Sequence, residues 1–157
     1  MRCVRCGAPT FLLTRSDPPI TPEPNHLNPR AEPESEMPQF ITAPAHVPIF
    51  GGKTIDEYVG RVTTGDTAVS IAYMVAPAGW SEPGKAEDFD EYTLVIKGVL
   101  RVDHEGGYTD VSAGQAIICR AGEHMRYESP EGAEYVAVCL PAFGNPLVHL
   151  DDDTASA

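Results

Sequence analysis

An all-β domain, a closed barrel or a packed sandwich, is the fold class that this sequence predicts. Three observations carry it. Short runs rich in Val, Ile, Tyr and Thr follow one another closely from Tyr58 to Leu140. Gly, Pro and Asp clusters punctuate them. No stretch sustains a long apolar period of 3.6 residues, which leaves sandwich or barrel as the economical architecture.

The elements follow in order. Thr54–Tyr58 reads as one helical turn capped by Thr54. Tyr58–Thr64 is a strand candidate, followed by a turn at Gly65-Asp66. Ala68–Ala76 is a strand with Val69, Ile71, Tyr73 and Val75 on one face. Pro77–Asp88, with its Gly, Pro, Ser and acids, reads as a loop. Glu91–Lys97 and Val99–His104 are strands on either side of Gly98, and Glu105–Tyr108 is a hairpin turn whose two glycines accept positive φ. Tyr108–Val111, Gln115–Cys119, Met125–Ser129 and Ala133–Leu140 continue the series.

Outside this region the composition changes. Ten of the fifteen prolines fall between Pro9 and Pro48, which removes the backbone donors that independent folding needs. Residues 1–47 are therefore expected to form a disordered Pro-rich tail, residues 48–145 the β-domain, and residues 146–157 an acidic tail. Met37 is a candidate start, because domain-like sequence begins soon after it.

With 157 residues the chain suits one domain. Its net charge of −12 argues against nucleic-acid phosphates and against a polybasic membrane contact. No apolar run is long enough for a transmembrane span or a signal-peptide core, so a cytoplasmic location is expected. Cys3 and Cys6 form a single Cys-x-x-Cys pair without the second pair that a structural zinc site needs, and His26 is separated from them by Pro-rich chain. Cys119 and Cys139 lie in strand-like runs and read as small buried apolar residues.

Two spacings then stand out. Gly79 is followed after five residues by Lys85-Ala86-Glu87, after three more by Glu91, and after six more by Gly98. Gly114 is followed after five residues by Arg120-Ala121-Gly122, then by Met125 and Ser129. These resemble the two signatures of the cupin superfamily, with Gly79, Glu91, Gly98, Gly114 and Gly122 in register. Lys85 and Glu87 stand where metal cupins carry two histidines. Arg120, Met125 and Ser129 stand where the second signature has Pro, His and Asn. The resemblance implies a small single-domain cupin, a double-stranded β-helix or jelly-roll barrel, similar to the metal-poor ethanolamine-utilisation cupins. It also implies that Lys85, Glu87, Glu91 and Met125 face one pocket. It fixes no single activity, because cupins host enzymes, storage proteins and sensors alike.

The residues suggest two chemistries for that pocket. In a metal-free form, Lys85 supplies positive charge beside Glu87 and Glu91, and the trio binds a polar metabolite or works as general acid and base. In a metal form, a β-bulge turns His124 inward, and Glu87, Glu91 and His124 hold a divalent transition metal. Lysine cannot ligate while protonated and a thioether suits iron or manganese poorly, so no cofactor is the primary expectation. Thr93 shares the inward face of Glu91, and Trp80 is either a stacking platform at the mouth or edge packing. Lys85, Glu87 and Glu91 are the catalytic candidates, and Thr93, Trp80, Met125 and His124 join them as ligand-binding candidates. The leading function is small-molecule binding. The alternatives are a cupin enzyme of isomerase, lyase or dioxygenase type and a structural dimerisation module, and a homodimer is expected in any case. No Gly-rich phosphate loop, Gly-x-Ser-x-Gly elbow or His-Glu-x-x-His motif is present.

Overall fold

The computed structural model describes residues 37–49 and 51–151. The Pro-rich stretch up to residue 36, with Cys3, Cys6 and His26, and the acidic run after Asp151 lie outside the described residues. The described strands are β1 (Ala45–Val47), β2 (Thr54–Val59), β3 (Ser70–Ala76), β4 (Trp80–Ser81), β5 (Lys85–Glu87), β6 (Asp90–His104), β7 (Gly107–Ser112), β8 (Ala116–Cys119), β9 (His124–Ser129), β10 (Ala133–Leu140) and β11 (Val148–Leu150). No helix among the described residues is long and apolar enough to cross a membrane.

Two sheets fold over one interior. The first runs β1-β2-β3-β10-β6, with β8 on the other edge of β6. The second is built from β7, β6 and β9, with β4 and β5 both on β9 and β11 on β5. The 15-residue β6 belongs to both: its first part pairs with β10 and β8, its second with β7 and β9. This is the jelly-roll barrel that the glycine spacing implies.

The corner of β6 is Gly98. The sequence suggests two strands separated there, but a single strand runs through it. Its φ of 74° lies in the left-handed region, and a Cβ there would collide with the Gly132 carbonyl oxygen. Opposite it, the ladder to β10 shifts register between Glu134 and Tyr135, a bulge that bends the strand from one sheet into the other.

Several local expectations change. Thr54–Tyr58 is strand rather than helical turn, because Ile55 and Glu57 alternate inward and the segment pairs with β1 and β3. Tyr58–Thr64 is mostly turn: the Thr64 N–H donates to the Gly60 carbonyl at 3.1 Å. The buried Glu57 carboxylate holds that turn, accepting from the Val62 and Thr63 N–H groups at 2.8 and 2.9 Å. The stretch Pro77–Asp88 contains β4 and β5, which add to the edge of β9. β1 falls within residues assigned to the N-terminal tail, and β11 within those assigned to the acidic tail. β10 spans the expected residues, and β3, β7, β8 and β9 lie within about two residues of theirs.

The first sheet has an inverted polarity. β3 buries Ser70, Ala72 and Ala76 and turns Ile71, Tyr73 and Val75 outward. β10 likewise buries Ala133, Tyr135, Ala137 and Cys139 and turns Val136 and Val138 outward. With Leu94, Ile96 and Ile118, each more than 40% exposed, they form an apolar outer face across four strands. The apolar core instead collects around Val95, Leu100, Val102, Val111, Met125 and Tyr127.

Candidate functional site

β6 positions the first residues of the site. Its pleat turns Glu91, Thr93 and Val95 inward. Register sets Glu91 between Cys139 of β10 and Cys119 of β8, and Thr93 between Ala137 and Ile117. Small neighbours on both sides leave the Glu91 carboxylate room, although the residue keeps only 5% exposure. The Thr93 hydroxyl donates to Glu91 Oε1 at 2.8 Å, and its oxygen lies 3.4 Å from the Tyr127 hydroxyl. That hydroxyl is also 3.4 Å from Cys119 Sγ.

β5 supplies the facing charge. Lys85 lies opposite Met125 in the ladder to β9. Its Nζ is 2.8 Å from Glu87 Oε1, 3.0 Å from Glu82 Oε1, and 5.4 Å from the centre of the Tyr127 ring. A second lysine joins it. Lys53 Nζ is 3.4 Å from Glu82 Oε2 and 3.5 Å from the Tyr135 hydroxyl, and sits 4.4 Å over the Trp80 ring. Glu82 thus bridges two ammonium groups. Solvent reaches the cluster at Lys85 and Glu82, whose side chains keep 12% and 11% exposure, whereas Glu87 keeps 1%.

Burial and neighbours set the protonation states. Glu87 is pushed up to about 7, first by burial and then by Glu91, against the pull of Lys85. Burial alone would lower Lys85, but Glu82, Glu91 and Glu87 outweigh it and hold the ammonium well above its ordinary range. Lys53 goes the other way: burial lowers it more than Glu82 raises it. Burial, followed by Glu91 for Tyr127 and Glu82 for Tyr135, keeps both phenols protonated. Cys119 is raised to about 11, mainly by burial, so it is no thiolate nucleophile near neutral pH.

Lys85, Glu87, Glu91, Thr93, Trp80 and Met125 all come together in the barrel interior. His124 does not. β9 alternates regularly, with His124 and Arg126 outside and Met125 and Tyr127 buried, so the bulge that would turn His124 inward is not formed. Its Nε2 lies 3.0 Å from the Asp151 carboxylate in an open surface groove of about 280 Å³. Arg120 and Arg126 also face outward and pair with Asp90 and with Asp103 and Glu128. Sequence reasoning missed Lys53, Glu82, Tyr127 and Tyr135 as site residues. The inward alternation Ala133, Tyr135, Ala137, Cys139 was the available signal for Tyr135. Nothing local distinguishes Lys53 from a surface lysine.

The fold family implies a metal at this place, but the donors present do not suit one. Ammonium-bearing Lys85 and a carboxylate occupy the two histidine positions, the thioether of Met125 takes the fourth, and His124 points away. Among the described residues no group of three or more His, Cys, Asp and Glu side chains is arranged to hold a metal ion.

The solved structures that resemble the chain support the fold, which is that of the cupins. No family model matches its sequence. It is similar to an RmlC-like cupin from Shewanella frigidimarina NCIMB 400, with a TM-score of 0.59 and 16% identity over 72% of this chain and 97% of that one. The polyketide cyclase RemF from Streptomyces resistomycificus aligns with a TM-score of 0.59 and 14% identity over 74% and 85%. A putative ethanolamine utilization protein Q from Salmonella typhimurium LT2 aligns at 0.51 and 22% identity over 58% and 71%. In sequence the chain is 39% identical over 107 residues, 67% of its length, to endoribonuclease YbeY of Myxococcus xanthus (strain DK1622), of which it spans 36%.

Proposed function

We propose that this protein is a small-molecule-binding cupin in which a lysine–glutamate cluster stands in place of the metal centre. One observation carries the reading: five ionisable side chains, Lys53, Glu82, Lys85, Glu87 and Glu91, gather inside a barrel whose core is otherwise mostly apolar, while the buried Glu57 carboxylate is used in holding its own turn. Buried charge is costly, so such a concentration in the place where related folds hold ligands favours binding over a purely structural purpose. The endoribonuclease name belongs to a protein matched over 36% of its length. A net charge of −12 and a carboxylate-rich interior both disfavour RNA phosphates as ligands of this chain.

Elemental analysis followed by a thermal-shift screen of polar metabolites tests the reading. The expected result is no stoichiometric metal, and stabilisation by a ligand that disappears in both Lys85→Ala and Glu91→Ala. A stoichiometric metal lost on Glu91→Ala overturns it.

An acid–base enzyme is the second reading, favoured by a carboxyl near neutrality, Glu87, beside a charged lysine. An isomerisation or dehydration whose kcat collapses in Glu87→Gln while the variant still binds substrate would establish it. Either role is compatible with a homodimer through the outer face of the first sheet. That face is neutral as well as apolar: Lys97 pairs with Glu134 at one end and Arg120 with Asp90 at the other. A second copy of the same apolar face complements it better than a charged partner does.

A further inference from the structure

We propose that the interior selects a small ligand bearing a protonated primary amine, docked against Glu87 Oε2. The inference rests on the small-molecule reading and adds the ligand's chemistry. It follows from which hydrogen-bonding capacity in the cluster is already used.

Both cations are engaged. Lys85 has its Nζ against Glu82 and Glu87 and faces the Tyr127 ring. Lys53 has its Nζ near Glu82 and Tyr135 and over Trp80. An ammonium has three donors, and each of these two lies close to three groups that attract it. The acceptors are not used up. Glu91 Oε1 takes the Thr93 hydroxyl, but Glu82 Oε1 and both Glu87 oxygens are buried and accept no hydrogen bond. Lys85 stands against Glu82 Oε1 and Glu87 Oε1 as an ion pair, which leaves Glu87 Oε2 with neither donor nor cation. A buried carboxylate oxygen without a donor is costly, and in a native fold it marks a place where another group belongs. The formal charges point the same way, since two lysines face three glutamates.

An anionic ligand would have to pull a lysine away from its glutamate and leave further carboxylate unpaired. A quaternary ammonium would bring charge but no donor for Glu87. A primary ammonium brings both, and an uncharged hydroxyl brings only the donor. A divalent cation meets the Lys85 ammonium 2.8 Å from Glu87 Oε1. The ligand class is therefore defined by donor and charge together.

The test uses the full chain and four small probes of similar size: propylamine, 1-propanol, propionate and tetramethylammonium. Saturation-transfer NMR ranks their binding to the wild-type protein without any variant, and thermal shift repeats the ranking. The expected result is propylamine at least tenfold tighter than propionate and tetramethylammonium, with 1-propanol between. Glu87→Gln should abolish the preference and Glu134→Gln, on the outer surface, should keep it. Tighter binding of propionate, lost in Lys85→Met, would overturn the amine assignment and leave the small-molecule reading standing. Stabilisation by manganese, nickel or zinc without any response to propylamine would overturn it in favour of a metal. No response to any probe, together with no response in the metabolite screen, would overturn both.

Discussion

Changing Glu87 to Gln removes one titrating proton from the barrel interior, and the size of the effect follows from its surroundings. Glu87 is buried with Lys85, Glu82 and Glu91 around it, and its pKa is about 7 against an ordinary 4.5. The folded state therefore holds this proton more tightly than the unfolded chain does. The stability it contributes is fully present below the unfolded value and is lost as pH rises through the folded one. Proton linkage changes stability by about 1.4 kcal/mol for each pH unit between those two values, which gives about 2.5 kcal/mol from pH 5 to pH 8. Urea unfolding of wild type and Glu87→Gln at pH 5, 6, 7 and 8 measures it, because other titrating groups cancel in the difference. With a urea slope of about 1–3 kcal/mol per molar, the gap between the two midpoints should move by about 1–2 M across the series, in favour of wild type at low pH. An equal gap at pH 5 and pH 8 would refute the argument. A gap that moves the other way would mean that Lys85, rather than desolvation, governs Glu87.

Three further outcomes are expected. Gly98→Ala should cost more than the roughly 1–2 kcal/mol of a left-handed alanine, because its Cβ meets the Gly132 carbonyl, whereas Gly114→Ala, with φ of 82° and open space around it, should cost only that; urea midpoints of the two variants compare them. Cys119 and Cys139, both buried with their thiols raised by burial, should resist iodoacetamide at pH 8 until the protein is unfolded, as mapped by mass spectrometry. Leu94→Lys or Val136→Lys, on the outer face of the first sheet, should shift a dimer to monomer in light scattering with less than about 1 kcal/mol change in monomer stability; an unchanged mass would remove this face as the contact.

What was legible in the sequence was the part dictated by backbone geometry. Gly98, Gly114 and Gly122 all take positive φ, so their spacing reports corners whatever the chemistry between them. Glu91 is legible for the same reason, since it stands at a fixed distance from those corners. The rest depended on facts that only three-dimensional proximity supplies. Ile71, Tyr73 and Val75 look like a core face beside Ser70, Ala72 and Ala76, yet the small residues line the interior because charged side chains fill it. Thr54 carries a helix-cap signal, but pairing with β1 and β3 overrides it. Lys53 and Glu82 gain meaning only from each other, 29 positions apart in the chain and 3.4 Å apart in space. Adjacency to Met125 suggests an inward His124, and the unbroken alternation of β9 turns it out.

The sharing of β6 between the two sheets bears on amide hydrogen exchange. β6 is hydrogen-bonded along both edges, to β10 and β8 in its first part and to β7 and β9 in its second. The N–H groups of its first part are released only when β10 and β8 come away from it, so the amides of Glu91, Thr93 and Val95 should exchange with solvent at the rate of global unfolding. β5 is a three-residue strand between β9 and β11, and its amides should exchange through smaller, local openings. Glu91 thus belongs to the slowest-exchanging part of the fold and the Lys85–Glu87 pair to a faster one. A ligand held between them would show itself as slowed exchange on β5 alone.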